Sequence, residues 1–378
     1  MTTFVLAAIA APAQAAPLSR TDKAQVERLA RSLGAKTSFV VTDTKGRTLA
    51  AVRPATRRPL GSVTKLFTSS AALLGLSAPP STAVELAGTL GPDGTLTGDI
   101  VLRGGGDAGL DDTGLTRLRD AVTAAGVRRI TGRVVGDGSL FDAAIGGPAT
   151  SGGFDQEFDG VVGALSFEHG RATPGGPYQT DPAAAAAAHF DDLLEAVGVV
   201  IPNGAVSGTR PPIPPLATVD GDLAELIKTT NTDSSAVTAE TLGKLLAARG
   251  GRPGTSAAGA DAVEAVVGTH LKVQPRLADS AGFVAGSQAT PRDVARLLRQ
   301  MDRRPTFRRS LAKGGEGTLR GRTVPSGCRA KTGTLRSAKT TTLAGICRGR
   351  IFAVLTVGPA TERARRVHDQ IAGVLGRR

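Results

Sequence analysis

One stretch limits what the rest of the chain can build around it. In Pro59-Leu60-Gly61-Ser62-Val63-Thr64-Lys65-Leu66-Phe67-Thr68, a serine and a lysine three residues on lead into the apolar run Leu66 to Leu76. Leu66, Phe67, Ala71, Leu73 and Leu74 predict a helix buried on most sides, with Gly61-Ser62 at its N-terminal edge. Residues three apart share a helical face, so Lys65 can reach back to the Ser62 hydroxyl. The free N–H groups and positive dipole end of such a helix favour a developing alkoxide or oxyanion. Serine is inert at neutral pH unless a base takes its proton, and a half-desolvated lysine can do that. By itself the pair is equally an ordinary helix cap with a solvated lysine one turn on. Only a partner motif elsewhere in the chain can separate the two.

At 378 residues the chain holds two domains, or one with a large insertion. After the first twenty positions no apolar run is long enough to span a bilayer. With one Tyr, eleven Phe and no Trp, the core must be aliphatic. A formal charge of +13 implies attraction to something anionic, such as an envelope polymer or a lipid surface, although coding bias towards Arg gives the same excess. Nucleic acid is excluded as the partner: there is no basic helix, zinc-finger spacing or aromatic RNA-binding pattern.

Met1 to Ala16 has an apolar centre and the signature Ala13-Gln14-Ala15. It fits a secretory signal over residues 1–15, shortened in that the positive n-region is missing, and hence an extracytoplasmic protein. Cys328 and Cys347 flank two strand-like runs whose midpoint falls in the turn-like Arg336-Ser337-Ala338-Lys339. In a hairpin centred there they lie opposite each other, as a disulfide in an oxidising compartment or as two buried thiols.

In chain order, a helix at Lys23 to Leu33 is followed by a hairpin of Thr37 to Asp43 with Thr48 to Val52. From residue 80 the sequence turns strand-rich, with Gly and Asp punctuation. Gly104-Gly105-Gly106-Asp107-Ala108-Gly109 formally satisfies a dinucleotide-binding fingerprint. Asp107, Asp111 and Asp112 would crowd the pyrophosphate, and the helix at Leu115 to Ala125 starts too late to touch it. A Gly-rich turn is the reading kept. A strand at Ile130 to Asp137, a loop-like region from Gly146 to Gly176 and a helix at Pro182 to Val197 come next. Arg210-Pro211-Pro212-Ile213-Pro214-Pro215 is a stiff connector, so residues 80–210 read as an inserted domain within a fold made of 16–79 and 211–378. The resumed part predicts helices at Gly221 to Thr229, Asp233 to Ala248 and Thr290 to Met301, the hairpin, a strand at Ile351 to Val357 and a last helix at Glu362 to Leu375. The class is α/β (α+β), with a mostly antiparallel sheet flanked by helices.

Ala330-Lys331-Thr332-Gly333-Thr334-Leu335 is the most specific short stretch. On a strand beside a nucleophile, Lys331 supplies positive charge, Thr332 and Thr334 supply hydroxyl donors, and Gly333 lets a substrate backbone approach. That is what a peptide with a terminal carboxylate requires.

Ser62-x-x-Lys65 followed by Lys331-Thr332-Gly333 resembles the penicillin-binding proteins and serine β-lactamases. Gly98-Asp99-Ile100-Val101-Leu102-x-Gly104-Gly105-Gly106-Asp107 and Thr131-Gly132-Arg133-Val134-Val135-Gly136-Asp137 narrow this to the class C low-molecular-mass group. That group is the D-alanyl-D-alanine carboxypeptidase/endopeptidase family, peptidase family S13. Gly317-Thr318-Leu319-x-x-Arg322 and Ala239-Glu240-x-Leu242 are similar to the same family, and the resemblance spans nearly the whole chain.

The resemblance implies a transpeptidase-like fold and acyl transfer without metal or organic cofactor. Ser62 would attack the D-Ala-D-Ala carbonyl of a peptidoglycan stem peptide, with Lys65 as general base and Ser234 relaying the proton. Lys331, Thr332 and Thr334 would hold the terminal carboxylate, and the amides of Ser62 and Thr334 the oxyanion. Penicillins and other β-lactams would be trapped on Ser62. The family's central Ser-x-Asn, aligned on Ala239-Glu240, becomes Ser234-Ser235-Ala236: the asparagine that would help hold substrate and Lys65 is an alanine. Losing one such hydrogen bond costs roughly 10²–10³ in rate. Asn231 is five residues off register, and the family's Asp-Gly-Ser-Gly-Leu loop is Asp279-Ser280-Ala281-Gly282-Phe283.

Those departures motivate a second reading: a homologue that binds or scaffolds peptidoglycan with impaired turnover. A β-lactamase has no use for so large an insertion. Other hydrolytic designs lack their motifs, and His169, His189, His270 and His368 have no ligand spacing.

Overall fold

The computed structural model describes residues 18–377; the expected signal segment lies outside them. The chain begins with α1 (Arg20–Ser32), β1 (Thr37–Thr42), β2 (Thr48–Val52), β3 (Arg58–Pro59) and α2 (Thr64–Gly75). A strand-rich part follows: β4 (Ser81–Leu90), β5 (Thr95–Gly105), α3 (Asp112–Ala124), β6 (Arg129–Ile130), β7 (Val134–Asp137), α4 (Pro182–Glu195), β8 (Ala205–Ser207) and β9 (Ala217–Asp220). Next come α5 (Leu223–Lys228), α6 (Ala236–Arg249), α7 (Ser256–Leu271), β10 (Gln288–Ala289), α8 (Pro291–Met301), α9 (Pro305–Ser310) and β11 (Ala312–Lys313). The last elements are β12 (Cys328–Leu335), β13 (Thr340–Cys347), β14 (Arg350–Val357) and α10 (Thr361–Leu375). Among the described residues no helix is long and apolar enough to cross a membrane.

The first sheet runs β11-β12-β13-β14-β1-β2 and is antiparallel throughout. Strand periodicity divides β1 between two cores. Val40 packs with Leu66 and Phe67 of α2, Val263 of α7 and Val294 of α8. Phe39 and Val41 pack on the other face with Val26 and Ala30 of α1 and Ile371 of α10. Full burial of each Leu, Val or Phe is worth about 1.5–3 kcal/mol, so the helices are clamped to both faces. This is the expected α/β class: an antiparallel sheet between two helical layers.

The second sheet runs β8-β7-β5-β4-β9, with β6 also paired to β5. It is mixed. β5 is antiparallel to β4, but β5–β6, β5–β7 and β7–β8 are parallel, because α3 and α4 provide crossover connections. Its core holds Leu115, Leu118 and Val122 of α3 with Ala186 and Phe190 of α4. β9 follows the Pro-rich connector yet pairs with β4, so this sheet draws strands from both sides of Arg210–Pro215.

Three local features depart from the sequence expectation. The strand expected over Ile130 to Asp137 splits into β6 and β7. Between α5 and α6 the chain widens into a π turn at Thr229–Asp233. α7 was not expected, and its burial explains why: Ala, Gly and Val give it little polar contrast. A Cβ on Gly259 would come within 2.7 Å of Gly243 C, so glycine lets α6 and α7 touch. The hairpin of β12 and β13 places Cys328 opposite Cys347, and the two are joined in a disulfide.

Candidate active site

Ser62 lies in a single 3₁₀ turn, Gly61–Val63, that feeds directly into α2. The turn is pinned from the sheet: Thr342 Oγ1 donates to Leu60 O at 2.7 Å. β12 lies against it. A Cβ on Gly333 would sit 2.6 Å from Leu60 O and 3.1 Å from Ser62 N. The glycine therefore serves the approach of the protein's own backbone to the serine turn. β11 pairs only with Arg329 and Ala330, so β12 is an open edge from Lys331 onwards, with Thr332 and Thr334 half-buried along it.

Lys65 is fully buried on the first turn of α2. Its Nζ donates to Ala281 O at 2.7 Å, lies 3.3 Å from Ser62 Oγ and faces the Phe283 ring at 5.2 Å. Burial pulls its pKa down to about 8, against the opposing charges of Asp279, Asp159 and Glu240. At pH 7 that leaves roughly a tenth of Lys65 neutral, several hundred times more than an ordinary lysine, and the neutral form is what a base for serine needs.

Ala281 is held from below. Glu240 Oε1 accepts from Ser280 N at 2.8 Å and Ala281 N at 3.0 Å. Asp279 closes the same loop on the amides of Gly282 and Phe283. Burial and the Asp279 charge push Glu240 up to about 7.

Ser234 stands where the π turn gives way to α6, with left-handed backbone at φ 68°. Lys331, also fully buried, donates from Nζ to Ser234 Oγ at 2.8 Å and to Thr332 O at 3.0 Å. Burial, reinforced by Lys65, drives Lys331 well below the usual lysine range. An anion arriving beside it would favour its ammonium form. Asn231 is used elsewhere: its Nδ2 donates to Ser69 Oγ and Ser310 Oγ, tying the π turn to α2 and α9.

All seven residues singled out from sequence lie on these facing elements: Ser62 with Lys65, Ser234 with Lys331, and Thr332, Gly333 and Thr334 along β12. Two neighbours were missed. Arg365 of α10 donates from Nη2 to Thr334 Oγ1 at 3.4 Å. Asp159, in the Gly-rich loop between β7 and α4, accepts on Oδ1 from Ala236 N at 2.8 Å and Val237 N at 3.2 Å. No spacing signal links residues so far apart in the chain. A cavity of about 680 Å³ lined by Arg103, Asp137 and Arg210 lies in the second sheet's domain, away from this cluster. Its arginines are already taken, Arg103 by Glu85 and Asp137 and Arg210 by Asp99.

The model of the D-Ala-D-Ala carboxypeptidase 3 (S13) family matches residues 23–158 and 160–377. No curated protein matches the chain in sequence. Among solved structures, penicillin binding protein 4 from Haemophilus influenzae is similar, with 18% identity and a TM-score of 0.75, over 92% of this chain and 99% of that one. A predatory peptidoglycan endopeptidase from Bdellovibrio bacteriovorus is similar at 14% identity and a TM-score of 0.57, over 89% and 92%. Its penicillin G-acylated form, in complex with an immunity protein, gives 16% and 0.54, over 89% and 90%. These likenesses establish the penicillin-binding-protein fold with its additional strand-rich domain.

Proposed function

The chain belongs to the D-Ala-D-Ala carboxypeptidase 3 (S13) family, and from that premise we propose that it cleaves the D-Ala-D-Ala bond of peptidoglycan stem peptides through an acyl-enzyme on Ser62. The observation that carries this reading is Ser62 Oγ 3.3 Å from a buried Lys65 whose pKa is pulled to about 8. Neutral Lys65 takes the hydroxyl proton as Ser62 Oγ bonds to the carbonyl carbon. The amides of Ser62 and Thr334 receive the oxyanion. As the tetrahedral centre collapses, the C–N bond breaks and the Lys65 proton passes through Ser234 to the departing amine. Lys331, Thr332 and Thr334 hold the terminal carboxylate, which favours the ammonium form of Lys331, and Arg365 adds a second cation beside Thr334. Water then hydrolyses the ester.

β-Lactams would acylate the same serine; one solved relative was captured acylated by penicillin G. The expected signal segment and the Cys328–Cys347 disulfide support action outside the cytoplasm at the cell wall. The +13 charge supports retention by an anionic envelope polymer. The alternative, a peptidoglycan-binding homologue with impaired turnover, draws on Ala236 and on the altered Asp279–Phe283 loop.

The test is to incubate the protein with a fluorescent penicillin and with a peptide ending in D-Ala-D-Ala, locating any adduct by peptide mass spectrometry. An adduct on Ser62, absent from Ser62→Ala, together with release of D-Ala is the expected result. An adduct without D-Ala release would favour the impaired homologue. No adduct from a folded protein would overturn the acyl-enzyme reading.

A further inference from the structure

The central motif has lost its asparagine, yet the corner it would occupy is filled. Phe158 and Asp159 enter from the strand-rich domain. The Phe158 ring packs on Phe283 at 4.9 Å between centroids, and both join Ala236, Val237 and Ala281 in one apolar cluster. Phe283 is the ring that Lys65 faces. Beside it, Asp159 Oδ1 takes the first two amides of α6, those of Ala236 and Val237. Its Oδ2 lies 3.5 Å from His169 Nδ1, and its carbonyl accepts from Tyr178 Oη at 2.9 Å, so the loop that presents it is braced. The side chain remains 42% exposed.

These contacts bear on the reaction at two places. The two amides immediately follow Ser235, so Asp159 fixes the start of α6 against the left-handed turn that aims Ser234 at Lys331. The Asp159 charge also acts on Lys65, favouring its ammonium form. From these contacts we infer that Asp159 is a positioning residue for acyl transfer, brought in from the second domain to stand in for the missing central-motif amide. This rests on the acyl-enzyme reading above.

Burial raises the Asp159 pKa, but the Ser235 hydroxyl, His169 and the Val237 amide outweigh it and hold the group ionised, below its ordinary range. The charges around Lys65 are Asp279 from the loop after α7, Glu240 from α6, Asp159 from the second domain and Lys331 from β12. Of these, the three carboxylates favour the ammonium form. Removing the Asp159 charge therefore lowers the Lys65 pKa, and the rise of acylation rate with pH moves to lower pH.

The experiment measures the rate of acylation by fluorescent penicillin from pH 5.5 to 10 for the unaltered protein, Asp159→Asn and Asp159→Ala, with circular dichroism as a check on folding. The asparagine keeps an oxygen for both amides and loses the charge. It is expected to shift the midpoint down by several tenths of a pH unit with a plateau within about threefold of the original. The alanine loses both, and is expected to add a ten- to hundredfold drop in plateau. Rates and midpoints unchanged in a folded Asp159→Ala would overturn the positioning role and leave the acyl-enzyme reading intact. Equal plateau losses in both variants with no midpoint shift would reduce Asp159 to a structural tie between domains. No adduct on Ser62 of the unaltered protein at any pH would overturn both.

Discussion

Ala236 is 2% exposed, and its methyl belongs to the cluster of Phe158, Phe283 and Ala281. Putting the family's asparagine back therefore does not restore a lost interaction. An amide there must find partners inside an apolar cluster, at about 1–3 kcal/mol for each group left unpaired, and must displace the Phe158–Phe283 pair, whose Phe283 ring Lys65 faces. Ala236→Asn is expected to lower stability by that amount in chemical denaturation and to leave penicillin acylation equal or slower. A faster acylation would mean that the corner still has room for the amide. Arg365 allows an independent check on carboxylate binding. Its 3.4 Å contact with Thr334 Oγ1 places a cation beside the threonine proposed to hold the terminal carboxylate. Arg365→Ala is expected to raise KM for a D-Ala-D-Ala peptide about three- to tenfold, the worth of one charged hydrogen bond in a half-exposed site. The same peptide with an amidated C-terminus should be unaffected; an equal rise for both would remove Arg365 from the carboxylate site.

The loop Asp279–Phe283 and helix α6 act as one element, since Glu240 Oε1 fixes the backbone that points Ala281 O at Lys65. Glu240 titrates near 4.5 when unfolded and near 7 when folded. Between those values the folded state binds more protons than the unfolded one, so stability falls as pH rises across this window. The slope is at most about 1.4 kcal/mol per pH unit. Denaturation midpoints of Glu240→Gln should decline less between pH 4.5 and 7 than those of the unaltered protein; parallel curves would place the titration elsewhere. None of this was legible in sequence. The Ala239-Glu240 pair aligned the central motif but did not show what the carboxylate holds. The nucleophile turn and the β12–β13 hairpin were legible because their signals are local: a Ser and Lys three apart, a turn midway between two cysteines. α7 was not, because a helix packed through Gly259 against Gly243 carries no polar stripe to mark its period. Asp159 was not, because only the docking of two domains brings it to α6.

At the scale of the whole molecule, the fold explains where a charge of +13 can act. β12 lies near one edge of the first sheet and β2 forms the other. On the β2 side, Lys45 of the β1–β2 turn joins Arg292, Arg296 and Arg299 of α8 around a groove of about 350 Å³. The three arginines recur at i, i+4 and i+7, the spacing of one helical face, while Val294, Leu297, Leu298 and Met301 turn inward. None of the four cations forms an ion pair among the described residues. Four unpaired like charges around a groove repel one another, and a polyanion lying in it relieves that cost. Among the described residues the large exposed apolar side chains, Phe154, Val197, Val200 and Leu216, all lie in the strand-rich part, and none of them lines the groove. A phosphate-bearing polymer suits it better than a lipid surface. Taking about 1 kcal/mol per basic residue near an anionic surface, removing three arginines should weaken binding roughly a hundredfold. The triple variant Arg292→Ala/Arg296→Ala/Arg299→Ala is expected to elute from immobilised polyphosphate at markedly lower salt, with penicillin acylation of Ser62 unchanged because β12 is strands away. Unaltered retention would spread the attraction over the whole surface, and loss of binding to anionic vesicles but not to polyphosphate would make the groove a lipid site instead.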